Sequence, residues 1–327
     1  MSLLTQTEAL SIESLIDSKV APIDAKLIEF ADLPPDYIAY NPSKVFYVKG
    51  QALILSRVDN RYDELDSRTW IYKYHEDYDR KLSRFSDLTL PWQDPFATHV
   101  QGKLIIGGVR VTRNPKNPSE VQSIATEMMI GDSLDDLEML CSIEGQKDVR
   151  PVDMSNEYRK LMGIYGRPQT GHATGDISFT TVETPYLLTN DIVKRAPVIT
   201  RGIFKDGIWC GANDAKHLSN GHNLVVGHVA RYNPNDPRLK EYHGIYFMHD
   251  PETNSIYSLQ PGPSKTDFPP IRDRDPSFGE IYFAGGIDEE PDITAISRDI
   301  GHLIVKTTCG LGDAASGRSV SKLLVAA

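Results

Sequence analysis

The stretch that decides the fold is SKVFYVKGQALILSRV (43–58), in which two apolar runs flank the pair Lys49-Gly50. Two short runs rich in β-branched and aromatic residues, separated by a glycine-containing turn, are typical of a β-hairpin. The same pattern returns in residues 97–111 and 201–214, and looser versions with longer turns occupy residues 243–260 and 279–299. The sequence therefore predicts a hairpin that recurs along most of the chain.

The spacing of these hairpins favours a propeller over a solenoid. They recur at irregular intervals of about 40–80 residues, whereas solenoid repeats are shorter and stricter. Five blades of four strands fit into 327 residues, at about 16 residues for each strand and its loop. We predict an all-β protein, a single five-bladed β-propeller over residues 35–327, with residues 1–34 as an N-terminal extension packing on it. A β-sandwich or two small β-domains remain the alternative.

Helical periodicity is scarce in this sequence. Only residues 6–18, 133–140 and 156–163 are predicted as short helices. The remaining chain alternates short apolar runs with turn residues, which include 24 glycines and 21 prolines.

The composition narrows the function classes. The net charge is −10 and no run of basic residues exceeds two, which argues against nucleic acid or an anionic membrane as the partner. The three cysteines lack a C-x-x-C spacing, so neither a disulfide framework nor a zinc site is predicted. The N-terminus lacks the features of a signal peptide and no apolar run is long enough to span a bilayer. We expect a cytoplasmic protein.

The segment PWQDPF (91–96) places one acid between two aromatic residues, directly before a predicted inner strand. If Pro95 is the first residue of the strand, Asp94 lies just before it, at the end of the strand that faces the axial funnel in a propeller. Beside Trp92 and Phe96 a carboxyl group would lose solvation, its pKa would rise, and it could act as a general acid. A structural turn is the alternative. Asn41, in YNPSK, precedes the first hairpin in the same register and could bind sugar hydroxyls.

Two further polar stretches are candidates for anion binding. Arg167 is the only cation in the glycine-rich segment 162–179, where a fixed guanidinium suits bidentate binding of an oxyanion; an exposed surface charge is the alternative. The segment 209–231 is the densest polar cluster and fits an anion or sugar pocket rather than a metal signature. Its candidate ligand-binding residues are Asn213, Asp214, Lys216 and His217. The sequence has no dinucleotide-binding glycine motif and no serine-hydrolase elbow.

The stretches YNPSK, PWQDPF, GRPQ, TRGIFKDGIWCGANDAKHL and GHVAR resemble those of the domain-of-unknown-function family 1861. That family includes β-1,2-mannosyltransferase/phosphorylases and is related to the mannoside phosphorylases of glycoside hydrolase family 130. The resemblance covers residues 35 to 310. It implies a five-bladed propeller with the active site in its axial funnel and no metal or organic cofactor.

The resemblance also implies a reaction and its residues. The reaction is inverting transfer of mannose between a β-1,2-linked oligomannoside and phosphate, giving mannose-1-phosphate, with GDP-mannose as the donor in some members. Asp94 matches the catalytic acid. Phosphate contacts fall on Arg167, Lys216 and His217, and sugar contacts on Asn41 and Asn213.

Two alternatives stay open at this point. An inverting hydrolase would need a second carboxylate as base, and Asp214 or Asp288 could supply it, although the run Asp288–Glu290 is predicted as a solvated turn. A phosphorylase needs only the acid, because phosphate is itself the nucleophile. A non-catalytic, glycan-binding propeller is the second alternative.

Overall fold

A computed structural model describes residues 9–19, 21–75, 81–169, 175–271, 280–288, 302–311 and 315–324 of the chain. Strands dominate this part of the chain. The α-helices are α1 (Ile12–Ile16) and α2 (Asn190–Lys194), and short 3₁₀ helices cover Pro185–Leu187 and Lys265–Asp267. The strands are β1 (Asp24–Ile28), β2 (Tyr37–Pro42), β3 (Phe46–Val48), β4 (Gln51–Asn60), β5 (Asp63–Lys73), β6 (Gln93–Val100), β7 (Lys103–Asn114), β8 (Asn117–Gly131), β9 (Glu138–Glu144), β10 (Gln146–Asp153), β11 (Met162–Pro168), β12 (Ser178–Val182), β13 (Trp209–His217), β14 (Asn223–Asn233), β15 (Asp236–Asp250), β16 (Ser255–Pro261), β17 (Tyr282–Ile287), β18 (His302–Leu311) and β19 (Ala315–Leu324).

These strands form five antiparallel sheets, which are the five blades of a propeller. The first blade contains β2 and β3, which pair with the same edge of β4, followed by β5. The second contains β6 to β9, the third β10 to β12, the fourth β13 to β16, and the fifth β17 to β19. The first strands of successive blades contact one another in a closed ring, so they surround the axis. The predicted five-bladed fold is confirmed.

The fifth blade is completed from the other end of the chain. Strand β1 pairs with β19 in antiparallel register, from Asp24 opposite Val320 to Ile28 opposite Ser316. The two ends of the chain are therefore hydrogen-bonded within one sheet, which closes the ring. The division at residue 35 stays a prediction, but β1, which precedes it, belongs to the sheet of the fifth blade.

The turn residues explain two of the predicted hairpins. Lys49-Gly50 and Gln101-Gly102 have positive φ at both positions, 49° and 78° in the first pair and 53° and 80° in the second. This backbone is the one that matches the twist of antiparallel strands across a two-residue loop. The third prediction is wrong, because residues 201–208 form turns and only β13 follows as a strand.

Five separate apolar clusters make the core, and together they draw on every pair of neighbouring blades. This arrangement buries both faces of each blade, which is why the strands carry long apolar runs rather than strict alternation. Two of the three predicted helices are wrong. Residues 133–140 run from a turn into β9, and residues 156–163 lead into β11. The helix predicted over residues 6–18 corresponds to α1, although residues 6–8 lie outside the described chain.

Candidate active site

The first strand of every blade breaks its hydrogen-bond register at one corresponding position. The residues at these β-bulges are Asn41, Asp94, Asp148, Asn213 and Gly285. The first three have a left-handed backbone, with φ of 46°, 48° and 51°. Asn and Asp tolerate this conformation better than other non-glycine residues. A bulge re-aims a side chain out of its sheet, so the repeat brings polar groups from neighbouring blades together.

The fifth bulge carries no side chain for a steric reason. A Cβ added at Gly285 would lie 1.9 Å from the carbonyl oxygen of Pro42. The fifth and first blades approach too closely there for any other residue.

Asp94 and Asn41 meet across the first two blades. Asn41 Nδ2 donates to Asp94 Oδ1 at 2.8 Å, and Arg57 Nη1 lies 3.3 Å from the same oxygen. The Asp94 side chain keeps 17% of its surface exposed. Arg57 is held in turn by Asp59, to which Nε and Nη2 donate at 2.9 and 2.8 Å. Asp94 is therefore a fixed carboxylate that solvent or a ligand can still reach.

The aromatic neighbours of Asp94 pack away from its carboxylate. Trp92 belongs to the cluster shared with the first blade, and Phe96 to the cluster shared with the third. The bonds that hold the Asp94 carboxylate come instead from Asn41 and Arg57, which are polar. The role of general acid predicted for Asp94 stays a prediction.

Arg150, which the sequence interpretation missed, links three blades around Asp94. Its Nε donates to the Asn213 carbonyl at 2.8 Å and its Nη2 donates to the Asp94 carbonyl at 3.2 Å. Its guanidinium also stacks 4.7 Å from the centroid of the Phe96 ring. Because the residue is 2% exposed, Arg150 fixes the backbone of the site rather than binding from solvent.

Asp148, also missed, is a buried carboxylate among cations. Arg167 Nε lies 2.8 Å from its Oδ2 without the alignment of a hydrogen bond, and Arg150 Nη2 lies 3.7 Å from its Oδ1. Burial alone would raise the pKa of Asp148. The positive charges of Arg167, Arg150 and Lys147 outweigh that effect, and the pKa of Asp148 falls below its ordinary value.

Arg167 lies on β11 rather than in a loop, and it faces Lys147 across the ladder to β10. Burial, and then the charge of Arg167, lowers the pKa of Lys147, while Asp94 and Asp148 act in the opposite direction. Lys147 therefore belongs to the same electrostatic site as Asp94. A single Asp opening an inner strand, as Asp148 does in QKDVRPVD, was the signal that could have found this group.

His228 lies beneath the bulge of the fourth blade. Its Nδ1 is 2.8 Å from Asn213 Oδ1, and within the described chain its buried Nε2 has no hydrogen-bond partner. With Asn213 Oδ1 as the acceptor, Nδ1 carries the proton and Nε2 is an acceptor. Burial lowers the pKa of His228 to about 3.

This buried histidine makes stability depend on pH. The unfolded chain binds a proton at His228 near pH 6.5, whereas the folded chain does so only near pH 3, so stability falls as pH drops through this window. Replacing His228 with Gln should reduce the slope of the unfolding free energy against pH by up to about 1.4 kcal/mol per pH unit. Urea unfolding between pH 7 and 4 measures it. An unchanged slope would mean that other groups, such as His249 with its pKa lowered to about 4 by burial, account for the acid sensitivity.

The two candidate hydrolytic bases are engaged in contacts between blades. Asp214 is buried, 3.4 Å from Lys44 Nζ, and accepts from the Ile287 amide at 2.9 Å. Asp288 is fully buried and accepts from the Val45 amide at 3.1 Å. The predicted solvated turn is wrong at Asp288, while residues 289 and 290 lie outside the described chain.

The remaining predicted residues lie further along β13. Lys216 and His217 are three and four residues beyond Asn213, which is about 10–13 Å in an extended strand. His217 Nδ1 is 2.8 Å from Asn223 Oδ1, and Asn223 Nδ2 donates to the buried Tyr165 hydroxyl at 2.8 Å. The structure thus brings Asp94, Asn41, Asn213 and Arg167 together but sets His217 in a different network.

Among the residues that the structure describes, no group of three or more His, Cys, Asp or Glu residues is arranged to hold a metal ion. No helix in that part of the chain has the length and hydropathy needed to cross a membrane.

The fold and this site define a five-bladed propeller with a carboxylate and buried cations at its axis. The chain belongs to the family described as "Protein of unknown function (DUF1861)", whose model matches residues 17–317. None of the curated proteins compared with the chain matches it.

Several solved structures share the fold. MPT-4, described as a mannose phosphorylase from Leishmania mexicana in complex with phosphate ion, has a TM-score of 0.79 and 22% identity, over 94% of this chain and 91% of its own. MPT-1, a GDP-Man-dependent mannosyltransferase from the same organism, has a TM-score of 0.78 and 22% identity over the same shares, 94% and 91%. A structure from the GH130 family of mannoside phosphorylases has a TM-score of 0.55 and 12% identity over 86% and 84%. At these identities the likeness establishes the fold.

Proposed function

We propose that this protein is an inverting mannoside phosphorylase/mannosyltransferase that exchanges mannose between a β-1,2-linked oligomannoside and phosphate. One observation carries the proposal: Arg150 joins the backbone of Asp94, a partly exposed carboxylate, to Asp148, and Arg167 Nε lies 2.8 Å from Asp148 Oδ2. An acid beside cations is what a phosphorylase requires, because the cations hold the phosphate nucleophile.

The descriptions of the similar structures support a mannosyl substrate, with mannose-1-phosphate or GDP-mannose as the donor. MPT-4 is described as a mannose phosphorylase and MPT-1 as GDP-Man-dependent. The GH130 family is described as containing glycoside hydrolases that target β-1,2 mannosidic linkages. As part of the proposal, we infer that this chain also acts on mannose, uses phosphate and recognises the β-1,2 linkage.

The residues have separate tasks in the proposed reaction. An oxygen of phosphate attacks the anomeric carbon, the bond from that carbon to the glycosidic oxygen breaks, and Asp94 gives its proton to the departing oxygen. The products are mannose-1-phosphate and a mannoside shortened by one sugar. Arg167 and Lys147 would hold the phosphate, and Asn41 and Asn213 would bind sugar hydroxyls. In synthesis the steps reverse and Asp94 accepts the proton of the acceptor hydroxyl.

A hydrolase on this scaffold is less well supported. Its base must activate a water molecule next to the sugar. Asp214 and Asp288 are 5% and 0% exposed and already accept hydrogen bonds from backbone amides, so neither is placed to bind such a water. A non-catalytic glycan-binding propeller would not require buried cations beside a reachable acid.

Phosphate dependence tests the proposal. Purified protein supplied with mannose-1-phosphate and mannose should release free phosphate and form a disaccharide. With β-1,2-mannobiose, turnover should require added phosphate and yield mannose-1-phosphate. Hydrolysis to mannose without phosphate would favour the hydrolase. The absence of turnover with mannose-1-phosphate, mannobiose and GDP-mannose would sink the enzymatic proposal.

Arg167→Gln should raise KM for phosphate at least about tenfold, because a hydrogen bond to a charged group contributes about 1.5–3 kcal/mol. Initial rates over a range of phosphate concentrations measure the effect. Arg195→Gln is the matched control, since Arg195 lies exposed after α2. An equal loss in both variants, or an unchanged KM for Arg167→Gln, would remove Arg167 from the phosphate site.

A further inference from the structure

An ion pair lies on the second blade, in the same row across the sheet as Asp94. The bulge that carries Asp94 lies opposite Gly108 in the ladder between β6 and β7, and Gly108 pairs with Glu127 of β8. Two strand spacings therefore separate Asp94 from Glu127, which is about 10 Å between their Cα atoms. Asp94, Gly108 and Glu127 follow one another from the axis outward.

The side chain of Glu127 is held in place by two contacts. Its Oε2 accepts from the Trp92 indole Nε1 at 2.9 Å, and its Oε1 lies 3.5 Å from Arg110 Nη1. The Glu127 side chain is 13% exposed and that of Arg110 is 50% exposed. Trp92 is buried two residues before Asp94. A hydrogen bond thus ties the pair to the segment that carries Asp94, while Arg110 still reaches solvent.

Glu127 and Asp94 lie on the face of the second blade that is turned to the first blade. Asp94 is contacted there by Asn41 and Arg57, which belong to the first blade. The Trp92 ring belongs to the apolar cluster that these two blades share, and Glu127 accepts from that ring. The carboxylates of Glu127 and Asp94 are therefore on the same side of the blade.

The hairpin of β7 and β8, which carries Arg110, extends beyond the inner strand. Strand β6 begins opposite Val109, but β7 continues to Asn114. Near the tip of this hairpin, Arg113 Nη2 lies 2.5 Å from Asp63 Oδ2, at the start of β5 in the first blade. Arg110 thus lies on a strand that the first blade supports, past the start of the inner strand.

We propose that Glu127 and Arg110 form an acceptor subsite, which binds the sugar unit next to the one that receives mannose. The inference rests on the proposed function, since it extends the acceptor side of that reaction. The hydroxyl that Asp94 deprotonates must lie within about 3 Å of its carboxylate, whereas the pair is about 10 Å away along the sheet. The pair therefore suits a more distant sugar, and the enzyme should prefer an oligomannoside to free mannose as the acceptor.

The pair has the chemistry of a sugar site. A carboxylate only accepts hydrogen bonds and a guanidinium only donates them, so neighbouring hydroxyls of one sugar can donate to Glu127 and accept from Arg110. The 3.5 Å between Oε1 and Nη1 is long for a hydrogen bond, so the two groups can still bind a ligand strongly. Phosphate is the less suitable occupant, because the Glu127 carboxylate repels it.

A purely structural role explains only part of this arrangement. The buried Trp92 indole needs an acceptor, but a neutral side chain would also satisfy it. Arg110 takes no part in that bond, and an ion pair with a half-exposed partner contributes little to stability.

The position of the pair agrees with the proposed reaction. Arg167 and Lys147, which we assign to phosphate, lie on the third blade. In an inverting displacement the nucleophile and the leaving group lie on opposite faces of the sugar. An acceptor that enters from the side of the first blade, where Asp94 meets Arg57, leaves the side of the third blade to the phosphate.

Acceptor kinetics test the inference. With mannose-1-phosphate as the donor, the KM for β-1,2-mannotriose should be at least about tenfold lower than the KM for mannose. Arg110→Ala should raise the KM for mannotriose about tenfold, because a hydrogen bond to a charged group contributes that much. The KM values for mannose and for mannose-1-phosphate should not change. Glu127→Gln should act in the same direction, and its amide oxygen keeps an acceptor for the Trp92 indole.

Arg238→Ala is the matched control, because the Arg238 side chain is 87% exposed in an ion pair with Asp236 on the fourth blade. It should keep all three KM values. The inference is overturned if the wild type does not prefer mannotriose, or if Arg110→Ala and Glu127→Gln both keep its KM for mannotriose. An equal rise in the KM for mannose and mannotriose would reveal a general effect on the fold and would overturn the inference as well.

Titration calorimetry with mannotriose makes the test independent of turnover. Phosphate-dependent turnover in a protein whose two variants bind mannotriose as the wild type does would reject the subsite and keep the phosphorylase. Mannotriose binding that weakens about tenfold in Arg110→Ala, in a protein without mannosyl transfer, would reject the enzymatic proposal and keep the sugar site.

Discussion

Asp94→Asn is expected to lower mannosyl transfer about a thousandfold, within the range that a positioned general acid contributes. The amide cannot give up a proton to the departing oxygen or accept one from the acceptor hydroxyl. Phosphate release from mannose-1-phosphate and mannose measures the loss, with disaccharide formation as the second readout.

The same substitution should leave the fold intact. Asparagine keeps an oxygen that can accept from Asn41 Nδ2, and Arg57 keeps its two bonds to Asp59. The free energy of unfolding should fall by about 1–3 kcal/mol, because a neutral acceptor replaces the carboxylate beside the buried Arg57. Asp236→Asn, in an exposed ion pair with Arg238, is the control for a lost carboxylate. Full activity in Asp94→Asn would show that Asp94 is a turn residue and not the general acid.

The sequence allowed the fold and part of the site to be predicted. The turn pairs Lys49-Gly50 and Gln101-Gly102 encode hairpins through local backbone preference, which a single sequence reveals. The relation between Asn41 and Asp94 was also visible, because each stands in an Asn-Pro or Asp-Pro pair shortly before a predicted hairpin. In the structure both residues lie at bulges of their strands, and Asn41 Nδ2 donates to Asp94 Oδ1 across the two blades.

The missed residues depend on contacts between blades. Asp148 and Arg150 stand in QKDVRPVD, a short segment of mixed charge with no turn signal, and only the neighbouring blades bury them. Conversely, the sequence interpretation groups Lys216 and His217 with Asn213 because they are close in sequence. A strand separates such residues by about 3.3 Å each and alternates their faces, so closeness in sequence does not bring them into one site.

The bulges explain why an alternating pattern alone could not locate the site. Each one inserts a residue in the inner strand and so reverses which face the following residues occupy. Trp92 and Phe96 can therefore pack into different clusters while Asp94, between them, bonds to another blade. The segment PWQDPF thus contributes both to the apolar core and to the carboxylate that we propose as the general acid.

Asp288→Ala is expected to destabilise the protein by about 3–5 kcal/mol, the usual cost of breaking a buried ion pair from one side. Arg318 Nε donates to Asp288 Oδ2 at 2.6 Å, and both residues are at most 5% exposed. The pair lies where the fifth blade meets the first, since Asp288 also accepts from the Val45 amide. Its loss leaves the Arg318 guanidinium buried without this carboxylate. The midpoint of urea unfolding at pH 7 measures the effect.

A double variant shows whether Asp288 stabilises the fold through its charge or through its packing. Asp288→Asn shows whether Asp288 is needed for the fold or for catalysis. Asp288→Leu combined with Arg318→Met should recover much of the lost stability, because apolar residues of similar volume can replace a buried pair. Asp288→Asn keeps the size of the side chain, and any folded fraction should keep its phosphate-dependent turnover, as a structural residue would. A stable Asp288→Asn protein without turnover would instead identify Asp288 as a catalytic base and restore the hydrolase. We expect the first outcome, because Asp288 is fully buried and its carboxylate is held by Arg318 and by the Val45 amide.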